Sequence, residues 1–197
     1  MYNILSYAMI IETENGKPSI SPTAFISDSA VIVGNVIIGE EVLVAPNATI
    51  RADEPGSRVV IGSGCNVQDN SVVHALTGST AEVHVNSTLG HSCIIHGPCL
   101  IGRGCFIGFG SIIFASELGD RCFVLHRALV HEVTVPMGRI IRNGQVVDDQ
   151  KNVGILEQVP EHHSDFALKA AGINRHLARE YLQREQTYPR EMIFSQR

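Results

Sequence analysis

The chain repeats itself with a period of six. Ile26, Ile32, Ile38, Val44 and Ile50 follow one another at intervals of six, and after a five-residue insertion the series resumes at Ile61, Val67 and Val73. After a four-residue insertion it runs through Val83, Leu89, Ile95, Ile101, Ile107 and Ile113, then drops one residue and continues at Leu118, Val124 and Val130. An amphipathic helix would show a period near 3.6 and a lone strand a period of 2, so neither explains the pattern. Hexapeptide repetition is a signature of a parallel β-helix. A short strand of about five residues and a turn make one side of a triangular prism, and three hexads make a coil of about 18 residues. Two positions before most of these aliphatics stands a small residue: Ala24, Ala30, Ala48, Cys65, Ser71, Cys93, Cys99, Cys105, Ser111, Cys122 and Ala128. All five cysteines fall in that slot, with Val36 and Val42 as larger occupants. They read as small buried hydrophobes, not as redox or metal centres.

A fixed coil length dictates which residues lie above one another. The residue after each interior aliphatic sits at a corner. One corner reads Val33, Arg51, His74, His96, Phe114, His131; a second reads Gly39, Gly62, His84, Gly102, Gly119; a third reads Ala45, Gln68, Gly90, Gly108, Leu125. Glycine there suits tight turns that need positive φ. The first corner differs by stacking two histidines over an arginine. Successive coils are about 4.8 Å apart, and two nitrogens on a tetrahedral zinc are about 3.4 Å apart. His74 and His96 therefore form a credible half-site. His91 lies at the far end of the same side, about 16 Å from His96 on an extended strand, and cannot reach the pair within one chain. A neighbouring subunit under threefold symmetry could present it there through a heterologous contact that closes. Three histidines leave a fourth position for water, the pattern of catalytic zinc. The spacing is equally compatible with polar histidines stacked at a surface corner.

The repeats span residues 20–145, preceded by a lead-in segment, 1–19. A connector, 146–163, leads to a C-terminal helix and tail, 164–197. In that helix Phe166, Ala170, Ile173, Leu177 and Tyr181 form an amphipathic stripe after an N-cap at Ser164. The formal net charge of −5 and scattered basic residues argue against a nucleic-acid or anionic-membrane partner. There is no basic segment followed by a long apolar run at the start of the chain and no long apolar span elsewhere. A cytoplasmic location is the expectation.

Three segments carry a family resemblance: Ile50-Arg51-Ala52-Asp53-Glu54, the run from Asn66 to His74, and the run from Leu89 to Pro98. Together they resemble the gamma-class carbonic anhydrases, over about residues 20–180 including the closing helix. The resemblance implies an all-β fold, a left-handed parallel β-helix of hexapeptide repeats with a C-terminal α-helix. It implies reversible hydration of CO2 to bicarbonate by zinc-bound hydroxide at subunit interfaces of a homotrimer. It further implies that His74, His91 and His96 are the metal ligands, with His91 from the adjacent subunit. Gln68 would position the reacting oxygen. Arg51 would pair with Asp69 across the interface, Asp53 matches an interface or site position, Glu54 an acidic residue near the site, and Asn174 a substrate-region asparagine. Fe2+ or Co2+ could replace Zn2+, because imidazole does not select among them. The chain departs from the family prototype in the loop after the first histidine, which here is only Ala75–Glu82 with Glu82 as its sole acid, and in Gly172, which replaces a tyrosine. The alternatives are a non-catalytic metal-binding or scaffold protein of the same fold and, less favoured, a hexapeptide acyltransferase.

Overall fold

The computed structural model describes residues 8–187; residues 1–7 of the lead-in and 188–197 of the tail lie outside the described residues. The chain winds a left-handed parallel β-helix, each strand pairing with the third one after it. Three sheets result among the described residues. The first has eight strands, from Met9–Ile11 to Val146–Val147, and the second and third have seven each, beginning at Ser19–Ile20 and Phe25–Ile26. The ladder extends past residues 20–145 at both ends. The turn closed by mutual Thr13 and Gly16 backbone hydrogen bonds adds residues that break the six-residue count, yet Ile10 still stacks on Ile32.

The interior is built from the repeating aliphatics. Ile32, Ile50, Val73, Ile95, Ile113 and Val130 are all 0% exposed and form one column. β-Branched side chains suit a pleated surface, and burying each contributes roughly 1.5–3 kcal/mol. The small slot is buried as well, and all five cysteines are free thiols. Burial pushes the Cys65 and Cys93 thiols up to about 12. Cys105 and Cys122 occupy successive coils of one column, where their shared burial disfavours a thiolate on either.

The corner glycines have a different cause from the one expected. Gly62 and Gly90 do not adopt positive φ; a Cβ on Gly62 would lie 2.7 Å from the Val85 nitrogen and one on Gly90 2.6 Å from the Ile107 oxygen. The next coil's backbone excludes a side chain. The left-handed conformation falls two residues later at the third corner, on Asn70 (φ 59°), Ser92 (φ 58°) and Gly110 (φ 66°).

The terminal helix runs Glu161–Thr187, so it begins before the expected N-cap and Ser164 lies inside it. The Pro160 carbonyl accepts from the His163 and Ser164 amides, so the helix starts at the proline. Its buried face is also rotated from the predicted stripe. Ala167, Ala171 and Ala178 are buried, whereas Phe166 and Ile173 are 51% and 61% exposed. Small residues let the helix lie close against the third sheet. Arg175 anchors it by donating to Asn86 Oδ1 at 2.9 Å, and Arg179 Nε donates to Glu41 Oε1 at 2.9 Å. Among the described residues no helix is long and apolar enough to cross a membrane.

Candidate metal centre

The strands Val72–His74 and Ile94–His96 pair in register and place His74 directly beneath His96. The same register sets Arg51 beneath His74 and Phe114 above His96. His74, His96 and Phe114 each emerge at the last position of their strand, and Arg51 one before the end of its own, where the first sheet turns into the second. His74 Nδ1 faces His96 Nε2 at 3.2 Å, with the ring planes 81° apart. That separation is close to the roughly 3.4 Å between two nitrogens on one tetrahedral cation. His74 Nε2 lies 3.3 Å from Glu54 Oε1 but off the line of a hydrogen bond. It and His96 Nδ1 are buried without a hydrogen-bond partner. Buried unpaired polar atoms cost about 1–3 kcal/mol each. The facing His74 Nδ1 and His96 Nε2 are spaced as two nitrogens on one cation are, so the pair fits such a group.

The two insertions in the repeat frame this edge. Asp53–Ser57 and Leu76–Ser79 bulge from adjacent coils and hold each other, with the Gly78 amide donating to the Pro55 carbonyl at 2.9 Å. Asn15 reaches across from the lead-in, donating to the Ala52 carbonyl and the Ser57 carbonyl and accepting from the Gly56 amide. Glu54 Oε2 accepts from both the amide and the hydroxyl of Thr77, at 2.7 Å each, and these bonds hold its carboxyl below the ordinary range. Burial, then the nearby Arg51 and His96, push His74 down. Arg51 forks onto Asp53 with Nε–Oδ1 2.9 Å and Nη2–Oδ2 2.7 Å, and that contact holds the Asp53 carboxyl low. Within the chain, then, Arg51 meets Asp53; Asp69 lies elsewhere.

The opposite edge of the first sheet carries the remaining expected residues. Asp69 and His91 are successive members of one corner column, since the Ser92 amide bonds the Asp69 carbonyl. Asp69 Oδ2 lies 2.9 Å from His91 Nδ1. The contact is an ion-pair approach, not an aligned hydrogen bond, and the carboxylate charge favours the His91 proton on Nδ1, which leaves the Nε2 lone pair to ligate. Next to Asp69, Gln68 Nε2 donates to Asn66 Oδ1 at 2.8 Å and to Asn174 Oδ1 at 3.1 Å. Asn66 in turn donates to Thr88 Oγ1 at 2.9 Å, and Asn174 to the Ala170 carbonyl. Both Gln68 amide hydrogens are thereby used, and its Oε1 is what it can offer. A pocket of about 390 Å³ opens here, with Leu43, Ala45, Gln68, Asp69, Asn174 and Tyr181 among its walls. Sequence reading missed Asn66 and Thr77. Asn66 was findable as an amide paired with Thr88 in a column whose other members include Leu43, Phe106 and Phe123.

The structure thus brings His74, His96 and Glu54 together, and separately His91, Asp69, Gln68 and Asn174. Among the described residues of one chain, no three His, Cys, Asp or Glu side chains converge to hold a metal.

No family model matches the chain. The carbonic anhydrase of Methanosarcina thermophila is 34% identical over 192 residues, covering 85% of this chain and 76% of that protein. The chain belongs to the gamma-class carbonic anhydrase family. The carboxysome assembly protein CcmM of a Nostoc species is 36% identical over 176 residues, but the match spans 84% of this chain and only 32% of that protein. A solved hexapeptide transferase family protein from Anaplasma phagocytophilum superposes with a TM-score of 0.75 at 26% identity, covering 88% of this chain and 98% of that one.

Proposed function

We propose that the protein is a homotrimeric carbonic anhydrase that hydrates CO2 reversibly to bicarbonate at a metal centre split between subunits. The observation that carries the reading is the division of the site. His74 and His96 converge to 3.2 Å at one edge of the first sheet, and His91 waits at the other edge with its ligating tautomer set by Asp69. Between them runs an apolar stripe, Val72, Ile94, Ile112, Leu129 and Val146, with Ile112 and Val146 38% and 53% exposed. A heterologous threefold contact covers that stripe and closes each site from two chains.

His74, His96 and the adjacent subunit's copy of His91 would hold Zn2+, or Fe2+ or Co2+. Such a cation supplies Lewis acidity sufficient to ionise water near neutral pH. Gln68, locked by Asn66 and Asn174, presents Oε1 to accept from the O–H of the attacking oxygen and so aims its lone pair at carbon. The apolar walls of the neighbouring pocket suit neutral CO2, while Arg51 gives the bicarbonate end of the reaction a cation. Asp69 of one chain also stands where Arg51 of the next can reach it once the edges meet. The chain is read as cytoplasmic, with no nucleic-acid or membrane partner.

Stopped-flow CO2 hydration on metal-replete protein, with metal content and mass measured on the same sample, tests the reading. Trimer, one metal per chain and hydration above the buffer rate are expected. Trimer and metal without hydration would favour a scaffold, a reading supported by the short loop after His74. Turnover of acetyl-CoA would point to an acyltransferase instead.

A further inference from the structure

The two edges of the first sheet rise in step. His91 and His96, Phe109 and Phe114, and His126 and His131 are pairs at the same five-residue interval on three successive coils. Ring contacts tie each edge into a ladder. His91, Phe109 and His126 stack with centroids 4.9 and 4.5 Å apart. His96, Phe114 and His131 stack at 5.1 and 5.1 Å. If His91 of one chain reaches the His74–His96 pair of the next, the same docking carries His126 to the level of Phe114 and His131, about 10 Å up the interface.

This upper level resembles a second metal site but has the opposite tautomer. His126 Nδ1 accepts the backbone N–H of Phe109 at 3.0 Å. A backbone amide can only donate, so the neutral ring keeps its proton on Nε2 and has no lone pair there for a metal. His91, facing a carboxylate, is the reverse. What His126 offers the neighbouring chain is a directed N–H. The acceptor at that height is Glu132, whose Oε1 lies 3.6 Å from His131 Nε2, beyond a hydrogen bond, with the carboxylate largely open to solvent.

We infer, resting on the shared-interface reading, that His126 of each subunit donates from Nε2 to the Glu132 carboxylate of the next, forming a metal-free fastening two coils above each metal centre. It holds the trimer together when the metal is absent.

Sedimentation equilibrium on EDTA-treated and zinc-loaded protein tests this. His126→Phe keeps the stack on Phe109 and removes the donor. The metal-free variant should dissociate at a protein concentration about 40-fold higher than wild type or more, since the trimer loses three hydrogen bonds to charged groups and its midpoint scales as the square root of the dissociation constant. Glu132→Gln should weaken the trimer similarly, and the double variant should be little worse than either alone. Zinc-loaded His126→Phe should still bind one metal per chain. Unchanged dissociation, additive losses, or a lost metal equivalent would each overturn the inference. If wild type is itself a monomer, or His91→Ala keeps its metal, the shared-interface reading fails and this inference with it. A wild-type trimer in which His91→Ala loses metal but His126→Phe changes nothing sinks the fastening alone.

Discussion

The two edges of the first sheet differ in what each lacks. The His74–His96 edge has two convergent rings, buried unpaired nitrogens and a wall of insertion loops, but no third ligand. The His91 edge has a single candidate ligand, and its surroundings are ordered: Asp69 faces His91 at 2.9 Å, Gln68 is hydrogen-bonded to Asn66 and Asn174, and Asn174 to the helix. On the trimer reading proposed above, a chain built this way offers ligands at one edge and their positioning apparatus at the other.

The sharpest way to break that comparison is to inactivate each edge in a different chain. His74→Ala and His91→Ala should each lose metal and hydration to background while keeping the fold, because both side chains lie outside the solenoid core. Co-refolding the two variants should recover about a quarter of wild-type metal and activity, the share of interfaces pairing an intact His74 edge with an intact His91 edge in a threefold ring. A site formed within one chain predicts no recovery. Metal analysis of the mixture decides between them.

Within the His91 edge, ligand support and substrate orientation should separate. Asp69→Ala removes the carboxylate that fixes the His91 tautomer and should weaken metal affinity about 10- to 100-fold. Competition with a chelator measures it. Gln68→Ala should leave metal affinity near wild type and lower kcat/KM about 10- to 100-fold, the cost of one oriented hydrogen bond to the reacting group. Equal effects of both substitutions on metal binding would merge the two roles.

How much of this was legible in the sequence depends on what each feature's cause was. The stacking of Arg51, His74 and His96 followed from carrying the hexad register across the two insertions, because parallel pairing leaves no freedom once the register is fixed. The helix face did not. Counting large apolar residues favoured Phe166 and Ile173, but close approach to the sheet selects Ala167, Ala171 and Ala178. The Arg51–Asp53 fork was missed because Asp53 lies just past the strand end, in the insertion, where no period places it. The relation between the edges is a meeting of two surfaces, which no period within one chain encodes. The cysteines were read from the small slot, and their burial carries a pH consequence. With the Cys65 and Cys93 thiols pushed up to about 12, alkylation of those two in native protein should stay slow and rise little between about pH 7 and 9, where an ordinary thiol of pKa about 8.5 ionises. Denaturant without reductant should release all five. Fast native labelling at Cys93 would show that the interior column is open.

The smallest expected effect concerns proton release, and it distinguishes the loops of the His74 edge from its rings. Glu82 is the only acid in the segment from Ala75 to Glu82, but it lies on the second sheet with Oε1 3.1 Å from His84 Nε2. Glu54 is nearer, yet its Oε2 already accepts two hydrogen bonds from Thr77, which stop the carboxylate from swinging outward. Neither group is free to carry a proton from the centre to bulk water, so external buffer should do it. Raising imidazole should increase kcat while kcat/KM hardly changes, since kcat/KM covers steps through CO2 conversion and proton release follows them. Glu82→Ala should alter kcat by less than about twofold, as expected for a surface residue outside the reacting groups. Thr77→Val, which frees Glu54 from one of its two bonds, should reduce the dependence on imidazole. A kcat that ignores imidazole in wild type but drops in Glu82→Ala would place a working shuttle on the second sheet, and the loops would then belong to the catalytic apparatus as much as the histidines do.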